Sequence, residues 1–168
     1  MNKDLGIIIL FSWMAFCAIK LIECFIRDFG GRKLSLNSSY PKLVKEVLHY
    51  CAPIFRENSI KYYPLYEVSH YPSKKKLGCY FSGKKKIVIY VKSHEGNETQ
   101  RLRLVVHTIL HEIRHVLQHH TDSNFKNYDI LSRKLTYQKN PFEIDANAFA
   151  DKHLNDCIKY LKQQGIVS

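Results

Sequence analysis

From residue 97 to 121 the chain reads NETQRLRLVVHTILHEIRHVLQHHT, with Leu102, Val105, Val106, Ile109, Ile113 and Leu117 recurring at helical spacing. That period turns one apolar stripe towards a core and predicts a long helix. Asn97, followed three residues on by Gln100, supplies a capping pair at its start. Upstream, Leu43, Val44, Val47, Leu48 and Cys51 form a second stripe behind Pro41, which suits a first turn, so a helix is expected over 41–51, ending before Pro53. Between these helices lie IKYYPLYEVSHY, LGCYFSG and KKIVIYV, rich in β-branched and aromatic residues and punctuated by Pro, Ser and Gly. They predict three strands in a small antiparallel sheet, the last two joined as a hairpin around Ser82 and Gly83. A second long helix begins at NPFEIDANAFADKHL, with Asn140 as cap and Pro141 in the first turn. The pattern is that of an α+β domain.

The amino terminus follows another rule. Residues 5–19 carry no charge, and the apolar run continues to residue 26 with Lys20 and Glu23 as its charged members. An uncharged run of about fifteen is short of the roughly twenty residues that cross a bilayer, but long side chains near one end can reach the headgroups. A membrane anchor over 5–26 is the leading expectation, beside a buried or interfacial amphipathic helix and a cleaved signal segment. Arg27, Arg32 and Lys33 follow the run while Lys3 and Asp4 cancel before it, so an anchored domain would face the cytoplasm. A soluble cytoplasmic protein is the alternative. The organisation expected is an apolar helix over 1–28, a linker rich in Gly, Ser and charge over 29–39, and one domain over 40–168.

Composition narrows the partners. The net charge of +11 favours a negatively charged surface, and the lysine triplets Lys74, Lys75, Lys76 and Lys84, Lys85, Lys86 could contact anionic lipid or nucleic acid. Solvated lysines that protect a sheet edge are the plainer reading. Five cysteines without C-x-x-C spacing indicate neither a disulfide framework nor a cysteine-based metal site.

Chemistry concentrates in the first long helix, where residues 107–120 hold five histidines and one glutamate. At 100° per residue His111 and His115 lie about 40° apart and one turn along the axis, with Glu112 beside them. Two imidazoles so placed can share one Zn²⁺, and the adjacent carboxylate can take a proton from water. This is an H-E-x-x-H motif. No glycine or histidine continues it in the manner of the longer metal motif, since Thr121 occupies the tenth position after His111. His119 lies nearest the site face as a second-sphere candidate, and His107 is expected towards solvent. Glu143 is the candidate third ligand, in a helix whose Ala146 and Ala150 would allow a close approach. The same glutamate is also placed to close a capping bond back to Asn140.

HEIRH, followed by EIDANAFA, resembles the gluzincin branch of the zincin metallopeptidases, and most nearly the small ImmA/IrrE-like group with related phage and viral proteins. The resemblance implies a minimal zincin-like domain, with a sheet of about three strands packed on the H-E-x-x-H helix and a second, Glu-bearing helix. It further implies zinc held by His111, His115 and Glu143, Glu112 as general base, and Asn147 hydrogen-bonded to a ligand histidine. LGCYFSGKKKIVIYV looks like the hairpin that precedes the motif helix in that group. The expected activity is zinc-dependent hydrolysis of a peptide or protein substrate, with Tyr137 or Tyr128 as candidate oxyanion donors. The competing expectation is a non-catalytic basic module, bound to membrane or nucleic acid, in which the motif is vestigial.

Overall fold

A computed structural model describes residues 34–73 and 76–168. The expected apolar amino-terminal helix and its membrane span lie outside the described residues. Among those described, no helix is long and apolar enough to cross a membrane.

The capping pair at Asn97 works as its residue types require: its side chain accepts from Gln100 N–H, and the Gln100 side chain returns to Asn97 N–H. The helix so started, α3, runs over Glu98–Thr121 and buries the whole predicted stripe. Before it come α1 (Tyr40–Tyr50) and α2 (Ala52–Glu57). α1 ends before Pro53, as its pattern predicts, and Pro53, whose missing N–H a first turn does not need, opens the short second helix.

Strands β1 (Leu65–Ser69), β2 (Gly78–Phe81) and β3 (Lys86–Tyr90) form one sheet in the order β1-β3-β2. The sheet is mixed, which corrects the antiparallel expectation. β2 and β3 pair antiparallel, Gly78 opposite Ile89 and Phe81 opposite Lys86, but β1 pairs parallel with β3, Leu65 opposite Lys86 and Ser69 opposite Tyr90. The cause lies in β3, whose run Ile87, Val88, Ile89 is buried and takes the centre. β1 skips its neighbour in sequence and docks on the far edge of that strand. The hairpin turns at the predicted place, though Lys85 rather than Gly83 takes the left-handed position, at φ 48°.

Two further helices, α4 (Tyr128–Lys134) and α5 (Pro141–Gln163), complete the fold. The cap of α5 is Asn140, whose side chain accepts from Phe142 N–H. α5 lies antiparallel on α3, as the turn-by-turn bonds Arg103 to Asn155, His107 to Asp151 and His111 to Asn147 require. Ala146 and Ala150 are fully buried, so small side chains do stand where the helices approach. Residues 34–39, placed by sequence in the linker, belong to the fold: Leu36 bridges Val167, and Asn37 N–H donates to the Ile166 carbonyl.

Candidate metal centre

α3 and α5 bring His111, His115 and Glu143 together, all three buried, with one ligand atom of each within 4.8 Å of the others. His111 Nε2 stands 3.1 Å from Glu143 Oε2 and 3.1 Å from His115 Nε2. His115 Nε2 lies 3.6 Å from Glu143 Oε1. The helical spacing of the histidines stacks them on one face, and Glu143 reaches them from the first turn of α5 instead of closing a bond to Asn140.

Outer contacts aim each ring inward. His111 Nδ1 faces Asn147 Oδ1 at 3.0 Å, and His115 Nδ1 faces Gln118 Oε1 at 2.7 Å. An amide oxygen accepts, so a neutral ring facing one carries its proton on Nδ1 and presents Nε2 as a lone pair to the cluster. Glu143 adds a carboxylate whose Oε2 is buried without a hydrogen-bond partner. Two lone pairs and an orphaned carboxylate oxygen converging in a buried space make a donor set that fits a cation. Burial pushes the Glu143 carboxyl up, but the histidines and Tyr128 outweigh it and hold the group well below the usual carboxylate range. Burial likewise opposes charge on His115, yet Glu143, Glu112 and Gln118 raise its pKa above the ordinary value.

Glu112 sits apart from the ligand set, against the sheet. Gly78 of β2 is what makes room: a Cβ there would stand 2.8 Å from Glu112 Oε1 and 2.7 Å from Thr108 Cγ2. Burial raises the Glu112 pKa, the two histidines work against that, and the backbone N–H of Tyr80 on β2 hydrogen-bonds the carboxylate.

The other candidates take definite places. Tyr137 stacks on His111 with ring centroids 6.3 Å apart, donates to Asn147 Oδ1 at 3.4 Å and is 53% exposed. Tyr128 donates to Glu143 Oε1. His119 bonds Tyr80 Oη at 3.1 Å and packs on Phe125, the ring that also faces His115. It lines a cavity of about 290 Å³ together with Ser82, Asp122, Phe125 and Tyr128. His107, expected towards solvent, is half-buried and paired with Asp151 at 3.1 Å.

Of the basic triplets, Lys74 and Lys75 lie outside the described residues. Lys86 pairs with Glu67 at 2.6 Å, Lys85 sits over the Tyr62 ring at 4.6 Å, and Lys76 points to Cys79 Sγ at 3.6 Å.

Sequence reading missed Gln118, Asp145 and Arg114, which join behind His115. Gln118 stands three residues after His115 on the same helix, a spacing that could have flagged it. Asp145 lies two residues after Glu143, where helical geometry alone gives no signal. Gly78 had none.

No curated protein and no solved structure matches the chain. A family model described as "Protein of unknown function (DUF3920)" matches residues 73–162, more than half of the 168, from just before β2 to the last turn of α5. The matched stretch contains the whole cluster, Glu112 and Gly78, and on that match the chain belongs to the DUF3920 family.

Proposed function

We propose that the protein is a zinc-dependent metallopeptidase of the zincin type, similar to the ImmA/IrrE-like gluzincins. His111, His115 and Glu143 hold the ion and Glu112 is the general base. The observation that carries this reading is the convergence of two inward Nε2 atoms and the Glu143 carboxylate, buried and within 4.8 Å. Bound there, zinc would supply the Lewis acidity that acidifies water and polarises a carbonyl.

The protein's own groups do the rest. Glu112 takes the proton from water and passes it to the leaving nitrogen, a role suited to a carboxyl whose burial favours the protonated form. Its bond to Tyr80 N–H ties that carboxylate to β2, the edge strand beside which an extended peptide would lie. Tyr137 is the better of the two oxyanion donors, since Tyr128 is engaged by Glu143 while Tyr137 is half exposed over His111. Burial and the Glu143 charge push the Tyr137 phenol up, so it stays protonated and able to donate at neutral pH.

Residues 5–26 tie this domain to a membrane with the domain in the cytoplasm, a reading supported by the apolar run and the arginines and lysine that follow it. Full-length protein should pellet with membranes and resist a salt wash. Release by salt would assign the attachment to the basic surface, its lysines meeting anionic lipid, and recovery in the soluble fraction would remove the membrane altogether.

The competing reading, a basic binding module with a vestigial motif, draws on the +11 charge. Stoichiometric zinc in the purified protein separates the two, and Glu112→Gln tests the chemistry. The near-isosteric amide cannot accept a proton, so this variant should keep its zinc and fold and lose most peptidase activity. Cleavage at close to the wild-type rate would remove Glu112 from the mechanism.

A further inference from the structure

The two imidazoles of the cluster differ in how their tautomers are set. The oxygen of Asn147 facing His111 has the Tyr137 hydroxyl as its other neighbour, at 3.4 Å. A hydroxyl can donate or accept, so it would suit either orientation of the Asn147 amide.

Gln118 has no such freedom. Its Nε2 lies 2.9 Å from the Phe142 carbonyl and 2.7 Å from Asp145 Oδ2. A carbonyl and a carboxylate only accept, so the NH₂ must point at them and Oε1 must face His115 Nδ1, 2.7 Å away. Asp145 is fixed in turn by Arg114, whose Nε donates to Oδ2 at 2.7 Å and whose Nη2 donates to Oδ1 at 3.3 Å. The chain Arg114, Asp145, Gln118, His115 thus leaves α3 for α5 and returns, and Gln118 is 3% exposed within it. An isolated imidazole side chain favours the opposite tautomer, with its proton on Nε2. In that form the His115 atom turned to the cluster would be a donor, with no lone pair for a metal.

We propose that Gln118 is a positioning residue: oriented by Phe142 and Asp145, it keeps the proton on His115 Nδ1 and so leaves Nε2 open to a metal ion. The assignment rests on the metal site proposed above. It also ties ligand orientation to the helix pair, because the Phe142 carbonyl that holds Gln118 is one residue from Glu143. A change that slid α5 along α3 would release His115 as well as withdraw the third ligand.

The test reads the tautomer directly, by long-range ¹H–¹⁵N correlation of the histidines in metal-free full-length protein at a pH where the ring is neutral. Wild type should show His115 with a protonated Nδ1 and a bare Nε2. Gln118→Leu, similar in size but with no acceptor, should move the proton to Nε2 and weaken Zn²⁺ binding about 10–100-fold in chelator competition. A folded Gln118→Leu protein that keeps Nδ1 protonated and binds Zn²⁺ as tightly as wild type overturns the proposal. Should that variant fail to fold, Asp145→Leu removes one of the two acceptors that aim the amide and should give mixed His115 tautomers; an unchanged tautomer there overturns the relay. Because the tautomer is read without metal, a wild type that binds no zinc would sink the proposed function and leave this assignment to the tautomer result.

Discussion

The same two helices meet in two different ways. Towards the start of α3 and the end of α5 the contact is mainly hydrocarbon, flanked by the bonds of Arg103 to Asn155 and His107 to Asp151: Leu102, Val105, Val106 and Ile109 share one core with Leu154, Cys157, Ile158 and Leu161. A few turns away Arg114, His115 and Gln118 meet Phe142, Glu143 and Asp145 through a network in which nearly every donor has its acceptor. Apolar packing is judged by volume, so the first end is free to choose among side chains of similar size. A buried polar network is judged atom by atom, and a single missing partner leaves a desolvated group behind. Damage at the hydrocarbon end should therefore appear as lost stability with the site intact, and damage at the polar end as a lost site in a folded protein.

Leu161→Ala should have the largest effect on stability. The side chain is fully buried, and its removal should cost about 2–5 kcal/mol, read as a lower denaturant midpoint at unchanged slope. Metal content of the folded fraction should not change. If zinc is lost along with stability, the two ends are coupled and the division fails.

Gly78→Ala tests the boundary between sheet and site. Its Cβ would press on Glu112 Oε1 and Thr108 Cγ2, and relieving that overlap should cost about 1–3 kcal/mol. The displaced group is the proposed base and not a ligand, so activity should fall further than stability does, with zinc retained. A variant with full activity would show that Glu112 tolerates the shift.

A smaller effect is expected at His94, which ties the end of β3 to α3 through bonds to the Tyr90 carbonyl and to Thr108 Oγ1, each 3.0 Å. Burial lowers its pKa, although the carbonyls of Tyr90 and Val91 pull the other way. Below the ordinary histidine value of about 6.5 the unfolded chain therefore binds more protons than the folded one. His94 contributes stability that is fully present above that value and is lost as pH falls towards the lowered folded pKa. Replacing it by Gln should flatten the acid side of the stability profile relative to wild type. An unchanged slope would mean that His94 is not buried as a neutral ring.

Much of this was legible in the chain because it was written in local patterns. The caps at Asn97 and Asn140, the stripe on α3 and the pairing of His111 with His115 all follow from spacings within one or two turns. Glu143 was legible as a choice between a ligand and a capping group, and it stands against both histidines. Sheet order was not written locally. Three strands in sequence say little about which neighbours pair, though the unbroken apolar run of β3 was a sign of a central strand. The supporting shell was the least readable part. Asp145 and Gln118 meet across two helices, and Gly78 matters for what it leaves out.

The central claim is that three side chains hold one zinc ion, and metal analysis of purified protein tests it most directly. Wild type should carry one zinc per chain, while His111→Ala, folded by circular dichroism, should lose it, since removing a direct ligand weakens binding severely. Zinc held as tightly by folded His111→Ala as by wild type would contradict the account, and so would a wild type that binds none.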